Sequence, residues 1–134
     1  MEDNYFNEIL QIFENGSEMN VGLHPKTNIV KYGFHYFGKK ITLLLQAKHN
    51  DMDTIMEYIK SNIKINFNKF SKNGRYVIGD GFVKIIEDED HKLDGINHII
   101  KQHQKNNVEY DIKVKSLNEL LIFELVIDNI HLAK

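Results

Sequence analysis

The side chains able to do chemistry in this chain are cations, carboxylates and histidines, because its 134 residues include no cysteine. A disulfide framework, a thiolate zinc site and a cysteine nucleophile are therefore excluded. The seven histidines, His24, His35, His49, His91, His98, His103 and His131, are scattered. None forms the i, i+4 pair with an intervening glutamate that binds zinc on a helix. His49, Asp51 and Asp53 lie close enough in sequence to approach a metal, but loop and helix-cap roles are simpler for them. No metal site is assigned. The chain also lacks a phosphate loop ending in Gly-Lys-Ser/Thr, a dinucleotide glycine fingerprint and a Gly-x-Ser-x-Gly elbow, so nucleotide and serine hydrolysis lose their best support.

What remains is Lys48 and Arg75 near strand ends, beside Gly79 and Gly81. Cations there can fix a phosphate, while a strand face without side chains admits a planar ring. The plainer alternative makes both cations solvated surface charges and both glycines a device for strand curvature at a barrel corner. No catalytic residue follows from these patterns.

Several elements must position these groups. Asp3 can cap a first helix in which Phe6, Ile9, Leu10 and Phe13 recur at helical spacing, and Asn15-Gly16 ends it. Met19 to Leu23 reads as a strand, and His24-Pro25-Lys26-Thr27 as the turn of a hairpin. From Asn28 to Phe37, Val30, Tyr32, Phe34 and Tyr36 share one face. After Gly38-Lys39-Lys40, Ile41, Leu43, Leu45 and Ala47 alternate with Thr42, Leu44, Gln46 and Lys48, and Leu44 on the nominally polar face implies burial on both sides.

A second helix begins at Asp51 or Asp53 and carries Met52, Ile55, Met56 and Ile59 on one face. Ile63, Ile65 and Phe67 then alternate in a strand that ends in the turn Ser71 to Gly74. The next strand runs from about Arg75 to Ile86, with Val77, Gly79, Gly81, Val83 and Ile85 on one face. Glu87 to Asp90 start a third helix whose stripe includes Leu93, Ile96, Ile99 and Ile100. Residues Asn106 to Ser116 are polar and irregular, and Leu121, Phe123, Leu125 and Ile127 mark a terminal strand.

The 42% hydrophobic content supplies one core, so residues 1–134 read as a single domain. With 17 basic and 19 acidic residues the net charge is −2, which gives no field toward nucleic acid or an anionic membrane. Met1-Glu2-Asp3-Asn4 is not the basic start of a secretory signal, and no apolar run approaches the roughly 20 residues that cross a bilayer. A cytoplasmic location is the expectation. Helices and hairpins in this order read as α+β, with a mostly antiparallel split β-barrel and about three flanking helices.

The segment from Gly74 to Lys92, in which a strand with Gly79 and Gly81 leads through Glu87-Asp88 into a helix, resembles nitroimidazole-resistance-like flavoproteins. These form a branch of the pyridoxamine 5′-phosphate oxidase superfamily of FMN-binding split barrels. Asn62 to Phe67 sits where that family has its Asn-Pro-Arg-Val strand entry, and Gly38 through Lys48 resembles its central hairpin. The likeness spans roughly Gly22 to Ile130. It implies a homodimer with FMN at the subunit interface, acting on a small organic acceptor. It also implies Gln46, Ala47 and Lys48 at the flavin from the hairpin, and Arg75 and Val77 from a neighbouring strand. The chain departs from the family at Leu45-Gln46-Ala47, where many relatives have His-Gly-Ala, and at Asp51-Met52, where a lysine pair often meets the phosphate. A second implication is therefore a non-enzymatic relative that has lost FMN and binds another small ligand or a protein.

Overall fold

A computed structural model describes residues 3–23, 26–110 and 120–133. The first helix, α1 (Asp3–Glu14), buries Phe6, Ile9, Ile12 and Phe13 on one side and stops at Gly16, whose φ of +87° suits only glycine comfortably. The strands β1 (Glu18–Leu23), β2 (Lys26–Phe37) and β3 (Lys40–Ala47) follow as antiparallel hairpins. The turn expected at His24-Pro25 lies outside the described residues. A 3-10 turn (His49–Asp51) leads into α2 (Met52–Lys60), then β4 (Ile65–Phe70), β5 (Tyr76–Ile85), α3 (Glu89–Lys105) and β6 (Leu121–Ala133). Of the polar link before β6, residues 111–119 lie outside the described set.

The six strands close into an antiparallel barrel in the order β1-β2-β3-β6-β5-β4, with β4 returning to β1. Closure leaves no unpaired sheet edge. The interior is filled by inward residues such as Val21, Tyr32, Leu43, Phe67, Val77 and Leu125. No helix among the described residues is long and apolar enough to cross a membrane.

Both ends of the barrel are plugged. At one end α1 inserts Phe13, with ring centroids 5.8 Å from Phe34 and 6.3 Å from Phe67. At the other end Ile55 of α2 meets Leu23, Ala47, Ile65 and Phe123 around a small hollow lined only by apolar side chains. The third helix lies outside the barrel, where Ile96 and Ile99 form a second apolar cluster with Leu44 and Ile122. The expected burial of Leu44 on both sides is explained by this helix. Gly33 makes the contact possible, since a Cβ there would stand 2.4 Å from the backbone carbonyl carbon of His98.

Two boundaries differ from the sequence reading. Ile63 is 54% exposed and precedes β4, because Asn62 takes a φ of +54° and closes α2, with Ile63 N–H donating to the Tyr58 carbonyl at 3.0 Å. The last strand continues to Ala133, well past the point where its alternation breaks. The break is a bulge: Asp80 pairs with Asn129 while Gly81 pairs with Ile127, leaving Asp128 as the extra residue. Ile127 before it and Ile130 and Leu132 after it all pack on the core, so inward parity switches from odd to even.

Candidate functional site

At the C-terminal end of β3, side chains alternate between the hollow and the outer surface. Ala47 lines the hollow, while Gln46 opposes Lys31 of β2 across the ladder and accepts a hydrogen bond from the Tyr110 hydroxyl. Lys31 Nζ stands 5.3 Å from the Tyr110 ring centroid, and the His103 ring centroid lies 4.9 Å from it. Burial pushes the Tyr110 hydroxyl up to about 12, so it remains a donor throughout the neutral range. Lys48 extends into solvent, and its carbonyl accepts the Asp51 N–H at 3.0 Å. An amide, a phenol and the Lys31 cation thus gather on one outer patch, with exposed Lys48 two positions along the chain from Gln46. Donors of this kind can hold a phosphate group, with Tyr110 orienting the Gln46 amide.

Arg75 and Val77 lie at the other end of the barrel. The sequence reading made their strand a neighbour of β3, but β6 runs between the two. Gln46 pairs with Ile122 of β6 and Val77 with Leu132, ten positions further along. At the usual strand rise that is roughly 30 Å. Arg75 Nη1 is engaged by Glu8 Oε2 at 2.5 Å, and Val77 is fully buried in the core. One copy of the chain therefore brings Gln46, Ala47 and Lys48 together and keeps Arg75 and Val77 apart from them.

The glycine face does not open for a ring. A Cβ at Gly79 would lie 2.3 Å from the Asn129 carbonyl oxygen and 2.6 Å from Phe67 Cζ; at Gly81 it would lie 2.3 Å from the Val126 carbonyl oxygen. The missing side chains admit β6 and the barrel core, which is the curvature reading of those glycines.

Asp51, at the departure from the family pattern, is only 7% exposed and makes no side-chain cap to α2. By contrast, Asp88 caps α3 by accepting the His91 N–H at 3.1 Å, the role expected of the acidic run. The His49 side chain lies outside the described set. Among the described residues no three His, Asp or Glu side chains converge as a metal-binding group.

The sequence reading missed a buried polar network at the α1 end. Gln102 Nε2 lies within hydrogen-bond distance of the carbonyls of Phe13, Glu14 and Gly16, at 2.7 to 3.1 Å. Asn106 joins it, accepting the Gly16 N–H at 2.7 Å. These amides satisfy the carbonyls that the last turn of α1 leaves without partners. The available signal was that Gln102 and His103 continue the apolar stripe of Ile96 and Ile99. Tyr32, beneath this network, is held neutral by burial, its hydroxyl pushed above the ordinary tyrosine range. Lys69, 8% exposed and 5.6 Å from the Tyr32 ring centroid, is lowered by burial.

No protein-family model matches the chain, and no curated protein matches it in sequence. Solved structures do match. A candidate 5-nitroimidazole antibiotic resistance protein from Bacteroides thetaiotaomicron aligns with 98% of this chain and 84% of its own, at 14% identity and a TM-score of 0.62. A candidate pyridoxamine 5′-phosphate oxidase from Listeria innocua aligns over 95% and 96%, at 17% identity and 0.63. The fold is the split barrel that these solved structures share. An FAD-binding protein from Mesorhizobium loti shares this split barrel over 94% of the chain and 91% of its own, at 13% identity and 0.57.

Proposed function

We propose that this chain is an FMN-binding flavoprotein acting as an oxidoreductase on a small organic acceptor, with the cofactor on the outer patch around Gln46. The observation that carries this reading is the gathering of Lys31, Gln46 and Tyr110 on one surface of a split barrel, with exposed Lys48 two positions along the chain from Gln46. Neighbours of that fold include a protein named for binding FAD. Lys31, Lys48 and the Gln46 amide would hold the phosphate, and Ala47 would contribute backbone. Bound flavin would supply the electron-transfer chemistry, while the protein orients it and shields it.

A homodimer belongs to the same proposal. The outer face of β4 and β5 carries exposed Phe70 and Ile78, with Tyr76 and Phe82 half-buried beside them. Arg75 would reach a ligand at the Gln46 patch only from a second copy, and Val77 only through its backbone. A cytoplasmic location, suggested by the cysteine-free composition, completes the reading.

A second reading is a flavin-free relative that binds another small ligand or a protein. It is favoured by Asp51-Met52 in place of a lysine pair and by the filled glycine face. An absorption spectrum of freshly purified protein separates the two: flavin bands support the first, and a colourless protein that also fails to take up FMN supports the second. Sedimentation at several concentrations tests the dimer, which a persistent monomer would contradict.

A further inference from the structure

We propose that the groove between α3 and β2 is a binding site for a phosphate-type oxyanion carried by a compact ligand. The groove is open to solvent, holds about 280 Å³ and is floored by β2 at Phe34 and His35. Its wall is one face of α3, where His98, Lys101 and Lys105 recur at i, i+3 and i+7. Lys101 and Lys105, like charges at i, i+4, cost helix stability unless something neutralises them. From the floor the His35 ring centroid lies 5.2 Å from that of His98, and Lys105 Nζ stands 6.0 Å from the Phe34 ring centroid.

The carboxylates facing this cluster are few. Glu14 of α1 lines the groove, and Asp94 Oδ2 lies 3.7 Å from His98 Nε2. Among the described residues neither Lys101 nor Lys105 forms an ion pair. The chain as a whole has more acidic than basic residues, 19 against 17, so this cationic face is a local concentration. Burial, followed by the charges of His35 and Lys101, holds His98 below the ordinary histidine range, against the pull of Asp94. An anion among these groups reverses the repulsive contributions. The wall is also fixed in place, because α3 rests its backbone at His98 directly on Gly33. With the helix backbone held, only the exposed side chains of Lys101 and Lys105 have to be ordered on binding.

This site is independent of the flavin proposal, since His35 pairs with Thr42, on the α1 side of the barrel from Gln46. The test is an NMR pH titration of the histidine rings with inorganic phosphate as the probe, against chloride at matched ionic strength. Phosphate is expected to raise the midpoints of His98 and His35 saturably and to leave His91 and His131 unmoved. The double variant Lys101→Gln/Lys105→Gln, with unchanged circular dichroism, is expected to lose most of that response. An equal response of all the histidines, no saturable response, or a response preserved in the double variant would overturn the site.

Discussion

The two ends of the barrel are closed in different ways. At the α1 end, aromatic rings interlock and Gln102, Asn106, Tyr32 and Leu132 tie the helix down, the last by donating its N–H to the Tyr5 hydroxyl oxygen at 2.6 Å. At the α2 end, a nine-residue helix covers a purely apolar hollow, Asp51 provides no side-chain cap, and the polar groups sit outside around Gln46. Buried hydrogen bonding is concentrated at one end and outward-facing donors at the other. The first arrangement favours stability and the second leaves side chains available to a ligand.

The contrast places the largest effects at the α1 end. Phe13→Ala is expected to cost about 4 kcal/mol, against about 2 kcal/mol for Ile55→Ala, whose site is already loosely filled. Urea unfolding of both variants measures this, and equal losses would erase the distinction. Gln102→Leu removes one donor from three carbonyls at the end of α1 that keep Tyr32 or Asn106 as partners, for an expected loss of about 1 kcal/mol by the same assay.

Alkaline pH should lower stability mainly through Tyr32 at this end and less through Tyr110 at the other. The folded state raises the Tyr32 pKa above its ordinary 10.0, so its contribution is complete below that value. It is lost as pH rises further, because the unfolded chain ionises first. Tyr32→Phe should flatten the fall in stability above pH 10, and an unaltered alkaline profile would assign that fall to other groups. The smallest stability effect belongs to the opposite end: Lys31→Ala with Lys48→Ala should leave urea unfolding within about 0.5 kcal/mol of the parent. The same pair should weaken FMN binding about tenfold or more. Arg75→Ala should remove only a surface ion pair, worth at most about 1 kcal/mol.

Much of the fold was legible because most of its elements are amphipathic with clean periods. The helix and strand order could be read from the stripes of α1, β2, β3, α2, β5 and α3. The bulge at Asp128 hid the last turn of β6 by switching its inward parity within one strand. The placement of β6 between β3 and β5 is a non-local pairing that no local pattern encodes. That pairing separates Arg75 and Val77 from Gln46. Gly79 and Gly81 announced a close approach without saying whether a ligand or a strand makes it, and the strand does. Tyr110 was invisible as a site residue because its partner Gln46 lies 64 positions away in sequence.

The most direct test of the central claim is a titration of FMN into purified protein, followed by quenching of flavin fluorescence. Saturable quenching at one FMN per chain, weakened by Lys31→Ala with Lys48→Ala, is the predicted result. Fluorescence that stays at the level of free FMN across the titration would contradict the flavin site.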